Sequence, residues 1–384
     1  MPYSKMIKLI KNVKIVAEDS PQVKDILIAD EKIVAVQPNI VLNGVATDII
    51  DAEGAIVTPG LIDIHVHTSG GGGQKGFYSL APEIRMQDLI QCGTTSVVGT
   101  LGTDGFVKQL PQLYAKTMSL RMNGISAYML TGFYGLPSPT LTDCIANDLI
   151  FVDPVVGCKI AICDDRSSFP SEDDLLKIIS QVRLGGFTSD KKGVMHVHLG
   201  ALPEGMQQLL DIARKFPSLI SYISPTHVIR TEDLFFQGIA FAKMGGMIDV
   251  TTGGTKYTEP YKGVMIALEN GVSIDQMTFS SDGNGGVRKV DPVSGEETYT
   301  LAPVDGNIQQ IQKLIQDGGL APKDAFKLIT INAANTMNLK NKGKIEPGFD
   351  ADICLFDEQF QLHSVFARGK QLMSEGIAKG GSYE

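Results

Sequence analysis

The chain has 384 residues, a formal charge of -9, and 43% hydrophobic against 20% charged residues, which excludes wholesale disorder and allows one large domain plus a smaller one. The acidic balance, with no basic stripe to offset it, argues against a nucleic-acid partner. Five scattered cysteines, Cys92, Cys144, Cys158, Cys163 and Cys354, form no CxxC pair and read as reduced, mostly buried small side chains.

In chain order, the first stretch lacks the long apolar segment of a signal peptide, and no later run approaches a membrane span. A cytoplasmic protein with no membrane partner is expected. Residues 6–58 read as short strands and hairpins, among them "KLIKNVKIV" and "DILIADEKIVAVQ" with a turn at Asp30-Glu31-Lys32. The end of the chain, "ADICLFDEQFQLHSVFARGKQLMSEG", is similar in character. Neither end carries enough strand for a stable sheet of its own. Residues 1–58 and 346–384 are therefore expected to pair into one small β-sandwich domain.

Between them, over 59–345, apolar runs alternate with amphipathic segments. The strand-like runs fall at 61–67, 95–100, 126–131, 156–162, 194–199, 220–227, 247–252 and 277–282, and helices are expected at Glu172–Leu184, Glu204–Lys215 and Glu232–Met244. Such alternation implies parallel strands with right-handed crossovers, in a (β/α)8 TIM-like barrel or a doubly wound sheet. Polar residues recur at the ends of the first, fourth, fifth, sixth and eighth runs. They converge at one mouth only in a barrel, which favours the barrel.

Five of the six histidines end apolar runs. His65 and His67 are two apart, so their side chains leave one face of a strand and can reach one cation. Alone, such a pair is as readily two hydrogen-bonded buried histidines. His198, His227 and Asp282 at other strand ends shift the reading to a metal site. Lys159, inside the fourth run, has two readings: it snorkels to solvent or to Asp164, or burial leaves a neutral amine that captures carbon dioxide as a carbamate able to bridge two cations. Within the glycines Gly70–Gly73 and beyond, Gly71, Gly73 and Gly76 satisfy GxGxxG, but no helical pattern begins within the string and no Walker lysine followed by Ser or Thr appears, so a phosphate cradle is set aside. A loop that brings backbone amides close to a ligand fits better than a floppy surface loop.

The strings "PGLIDIHVH", "HVHTSGGGGQKG", "TSVVGTLGTDG", "YMLTGFYGLPS", "PTHVIR" and "SSDGNGG" resemble the amidohydrolase superfamily and, within it, the isoaspartyl (β-aspartyl) dipeptidase family, from about Met6 to the C-terminus. The resemblance implies a zinc-dependent dipeptidase with two Zn2+ per subunit. His65, His67 and Asp282 would hold the first ion, His198 and His227 the second, and carboxylated Lys159 would bridge them. A hydroxide between the ions would attack the β-linked amide carbonyl, with Asp282 as general base and Tyr134 as a donor to the oxyanion. Gly72, Gln74, Thr103, Arg166, Arg230 and Gly286 match positions that contact the small dipeptide substrate, the arginines by gripping carboxylates. The resemblance also implies a homo-oligomer, an octamer being one such assembly. His196 is read as a barrel-interior residue able to hydrogen-bond a ligand, and His363 is given no chemistry.

Two departures stand out. The family has glutamate where Gln74 stands, for the substrate α-amino group, and tends to serine at Gly286. The hydrolytic centre is untouched, but preference at the amine end is expected to relax or shift. Two rival readings remain: a cyclic-amide hydrolase of the dihydroorotase or hydantoinase kind, and a noncatalytic scaffold like the collapsin response mediator proteins, which have lost ligands that are all present here.

Overall fold

Parallel pairing organises the middle of the chain. In the computed structural model, which describes residues 7–18, 22–254, 256–291 and 294–382, eight strands follow one another around a barrel in chain order. They are Leu61–Val66, Thr94–Gly99, Ser126–Gly132, Val155–Ile162, Val194–Leu199, Ile223–Thr226, Ile248–Thr251 and Met277–Ser280. A bridge between Val66 and Gly283, with the His67 amide donating to the Gly283 carbonyl at 2.9 Å, brings the last strand back to the first. Every residue of these strands is buried except Tyr128, which is half-buried. Helices cover one face and side chains fill the other, which is why the sequence shows continuous apolar runs rather than alternation.

Local chemistry sets the helix limits. Glu172–Thr188 starts at a capping box in which the Ser171 hydroxyl accepts from the Asp174 amide and the Asp174 carboxylate accepts from the Ser171 amide. Thr231 caps Glu232–Lys243 in the simpler way. The helix expected from Glu204 begins only at Gln207, because Gly205 takes a left-handed φ of 56° in a turn closed onto Leu202. The run at 220–227 is strand only over Ile223–Thr226. Pro217–Tyr222 forms a 3-10 helix opened by its proline.

The two ends of the chain meet in a separate nine-stranded sheet. The seam pairs Ile56–Pro59 antiparallel with Ile353–Phe356, Val57 facing Leu355. The sheet closes on its own apolar core of Ile10, Val13, Ile26, Ile33, Val57 and Phe366. Of the expected 1–58 segment, residues 1–6 and 19–21 lie outside the described residues. The chain passes from sheet to barrel at Gly60, where a Cβ would fall 2.1 Å from the Thr95 hydroxyl.

A hairpin that the sequence reading did not anticipate follows the eighth strand. Gly286–Val290 pairs antiparallel with Glu297–Leu301 and stands over the barrel mouth.

Candidate functional site

All of the site residues expected from sequence gather at the C-terminal end of the barrel. A cavity of about 870 Å3 opens there, lined by His67, Gly72, Gln74, Thr103, Tyr134, Arg166, His198, Arg230, Asp282 and Gly286 among others. His65, Lys159 and His227 lie buried beside it. The backbone turns sharply where the strands end: Cys163, His227 and Asp282 take left-handed φ values of 45°, 65° and 53°. That region is sparsely populated for residues other than glycine, and here it aims functional groups inward.

Nitrogen and oxygen donors converge at the floor. The ring of His65 lies 5.5 Å from that of His67 and 5.0 Å from that of His227, and His198 lies 4.5 Å from His227. Asp282 Oδ1 stands 3.2 Å from His67 Nε2 and 3.4 Å from His65 Nε2. Donor atoms of His65, His227 and Asp282 all fall within 4.8 Å of one another. This tightest group draws on both of the expected ligand sets.

The protonation states suit cation binding. Burial drives the imidazoles of His65, His196 and His227 well below their ordinary range and His198 down to about 3, so all four are neutral. Burial alone would raise the Asp282 carboxyl, but its surroundings, the hydrogen bond with His67 first among them, outweigh burial and keep it ionised. His227 Nε2 is buried with no hydrogen-bond partner, an orphaned lone pair that a metal would satisfy. Neutral imidazoles beside a carboxylate are the donor set that zinc-like ions take.

Lys159 neither snorkels nor meets Asp164. Its side chain is completely buried, its Nζ sits 3.0 Å from His65 Nε2, and burial pushes its amine down to about 7. The amine is thus available in its neutral, nucleophilic form.

Neighbours fix the rings. His227 Nδ1 meets the Thr251 hydroxyl at 2.7 Å. His65 Nδ1 lies 2.8 Å from His196 Nε2, and His196 Nδ1 lies 3.0 Å from the Ser224 hydroxyl. With a lone pair on His65 Nε2, its Nδ1–H donates to His196, whose own Nδ1–H donates to Ser224. His196 is thus the interior hydrogen-bonding residue expected of it. His363 lies in the terminal sheet, in the strand Leu362–Ala367.

The glycine string is an ordered loop. Gly70, Gly72, Gly73 and Gly76 have φ between 80° and 95°, and Gly72 pairs with Leu80. A Cβ on Gly72 would fall 2.4 Å from the Ser79 carbonyl oxygen. The Tyr134 hydroxyl lies 2.9 Å from His198 Nδ1. Arg166 forks onto Asp164 at 2.8 and 2.6 Å, and Arg230 Nε is buried without a partner.

Sequence reasoning missed several neighbours. Asp104 lines the cavity with neither carboxylate oxygen hydrogen-bonded. Glu297, on the hairpin, takes Lys75 at 2.9 Å and the Tyr299 hydroxyl at 2.6 Å. Asp164 was weighed only as a partner for Lys159, although its place just beyond the fourth strand, two residues before Arg166, was a usable signal.

Comparison with known proteins agrees with this geometry. Residues 56–372 match the amidohydrolase family model. The β-aspartyl dipeptidase of Fervidobacterium islandicum AW-1, solved in complex with a β-Asp-Leu dipeptide, superposes with a TM-score of 0.92 at 38% identity, covering 99% of this chain and 100% of that one. Dihydropyrimidinase from Brevibacillus agri shares the fold at a TM-score of 0.69 and 17% identity, over 98% and 97% of the two chains. Among curated proteins, an adenine deaminase of Methanoregula boonei is 23% identical over 83% of this chain, which spans only 51% of that protein's length. No helix among the described residues is long and apolar enough to cross a membrane. The barrel, the donor cluster at its mouth and these matches together place the chain in the amidohydrolase family, alongside the β-aspartyl dipeptidases.

Proposed function

We propose that this protein is a zinc-dependent dipeptidase that hydrolyses β-aspartyl (isoaspartyl) dipeptides. The observation that carries the reading is a single cavity joining a buried His/Asp donor cluster to two arginines, Arg166 and Arg230. Its likeness at 38% identity to a dipeptidase solved with β-Asp-Leu supports the same substrate class.

His65, His67, His198, His227, Asp282 and a carboxylated Lys159 would hold two cations. When bound, such cations polarise an amide carbonyl and lower the pKa of water. Carboxylation joins the neutral Lys159 nitrogen to carbon dioxide and releases one amine proton, and the low amine pKa supports this. Arg166 and Arg230 bind the dipeptide carboxylates through their planar forks. The Tyr134 hydroxyl donates to the carbonyl oxygen as it gains charge. Asp282, ionised and at the strand end, takes a proton at its carboxylate and returns it to the leaving amine. Gln74 and Gly286 also line the cavity. Gln74 offers an uncharged acceptor, so recognition of the α-ammonium is relaxed.

A substrate panel tests the reading: β-aspartyl dipeptides, their N-acyl analogues, dihydroorotate and hydantoin, offered to zinc-loaded protein. Turnover of the free and N-acylated β-aspartyl compounds, without ring opening of the cyclic amides, is expected. Hydantoin or dihydroorotate hydrolysis with no dipeptide cleavage would overturn it.

A further inference from the structure

We infer that Asp164 is a positioning residue that holds a ligand histidine and a substrate-binding arginine with one carboxylate, an inference that rests on the dipeptidase reading. Asp164 is 3% exposed and lies just past the fourth barrel strand. Its Oδ1 accepts from the Arg166 amide at 2.9 Å and from Arg166 Nε at 2.8 Å. Its Oδ2 accepts from Arg166 Nη2 at 2.6 Å and from His198 Nε2 at 3.0 Å.

Both partners are oriented by that arrangement. A His198 that donates through Nε2 must carry its lone pair on Nδ1, whereas the Tyr134 hydroxyl, 2.9 Å from Nδ1 and 3.0 Å from Nε2, does not choose between the two nitrogens. The tautomer is therefore set by Asp164, and a carboxylate behind an imidazole also strengthens it as a ligand. The neighbouring rings lean on uncharged groups, Thr251 for His227 and His196 for His65. On the other side, Asp164 occupies the Nε/Nη2 edge of Arg166 and leaves the Nη1/Nη2 edge for a carboxylate. The Arg166 side chain is 39% exposed and lines the cavity. Left alone, an arginine in that position would sample many rotamers.

The backbone is shaped to bring the two strand ends together. Cys163 turns with a φ of 45°, and Gly200, just beyond the fifth strand, packs against Asp164. A Cβ there would fall 2.5 Å from the Asp164 Cα and 2.2 Å from the Cys163 carbonyl oxygen. A simple ion pair between Asp164 and Arg166 would not require this approach, because it closes within one loop.

The experiment compares wild type, Asp164→Ala and Asp164→Asn by zinc affinity in chelator competition, by KM and kcat on a β-aspartyl dipeptide, and by thermal melting. Asp164→Ala is expected to weaken the less tightly held zinc by about 10-fold to 100-fold and to raise KM more than it lowers kcat. Asp164→Asn leaves one acceptor oxygen for the four donors, so either His198 or the Arg166 amide and Nε lose their partner and at least one of the two readouts shifts. Should Asp164→Ala fold and leave zinc affinity and KM unchanged, the inference falls. If it does not fold, Asp164→Asn decides: both readouts unchanged would overturn it equally. Wild type that binds zinc but cleaves no β-aspartyl dipeptide would sink the functional reading alone, since zinc affinity still tests the hold on His198.

Discussion

Gln74 and Gly286 meet across the mouth of the cavity. The Gln74 amide Nε2 lies 3.4 Å from the Gly286 carbonyl oxygen, and a Cβ on Gly286 would fall 2.9 Å from the Gly72 Cα. The two positions at which the sequence reading expects a shifted amine-end preference are thus neighbours. A carboxylate at 74 would face that carbonyl with no proton to offer. A side chain at 286 would push the hairpin off the glycine loop. The hydrogen bond is long and exposed, so its own contribution is small; steric fit dominates.

The first prediction follows from that contact. Gln74→Glu is expected to shift kcat/KM toward free-amine over N-acylated β-aspartyl substrates by about tenfold, as one charge-assisted contact supplies. Gly286→Ser alone should lower kcat/KM for both. In the double variant the effects should depart from additivity by about 0.5–3 kcal/mol, as for residues in contact. Independent effects in the four-way comparison would show that the two positions do not communicate.

How much of this was legible beforehand depends on burial. The barrel strands could be read because both faces are covered, which forces uninterrupted apolar runs, and histidines ending such runs mark the mouth. The hairpin at 286–301 could not be read, because residues 297–301 are mostly exposed and their alternation is limited to Tyr299 and Leu301 between threonines, too short to mark a strand. Asp164 was visible as a residue, but its two partners come from 198 and 166, and only the register of the fourth and fifth strands, His198 beside Ala161, brings them together. The late helix start at Gln207 reflects a single left-handed glycine, which composition alone does not reveal.

Tyr134 gives the second prediction. Its hydroxyl, held among buried groups and raised in pKa chiefly by burial, stays protonated and able to donate. Tyr134→Phe should lower kcat by about 10²- to 10³-fold, the usual cost of one oxyanion donor, with KM little changed. Steady-state kinetics on a β-aspartyl dipeptide check this. A change confined to KM would assign the hydroxyl to ground-state binding instead.

Acid sensitivity of the metal-free protein is the third. Burial keeps His198 at about 3 and His65, His196 and His227 well below 6.5. Below pH 6.5 the unfolded chain binds protons that the folded chain refuses, so stability falls as pH drops from there toward the folded values. Each such group costs about 1.4 kcal/mol per pH unit across its window. Lys159, lowered from 10.5 to about 7, acts with the same sign over that higher range. With chelator present, the melting temperature should fall steeply from about pH 7 to pH 5, and added zinc should raise it more at the upper end, where ligands need not be deprotonated. A flat profile in chelator would mean that these imidazoles are not buried neutral.

Lys342 ties the terminal sheet to the barrel and supplies the fourth prediction. It is 4% exposed, and its Nζ reaches the Ser126 hydroxyl on the third barrel strand at 2.6 Å, Asp352 at 2.5 Å and Asp350 at 2.7 Å. Burial alone would lower its pKa, but the two carboxylates outweigh that and raise it above 10.5. Its contribution is therefore fully present below that value and is lost only as pH climbs past it. Lys342→Met keeps the volume, takes the cation from the buried Asp352 and leaves Asp350 only Lys32 at 2.6 Å, and should cost about 3–5 kcal/mol, as breaking a buried pair does. Asp352 also accepts the Arg368 amide at 2.7 Å, so adding Asp352→Asn should recover only part of the loss. Thermal melting of the three proteins checks this: an unshifted midpoint for Lys342→Met would mean that the sheet is fastened to the barrel by apolar packing alone.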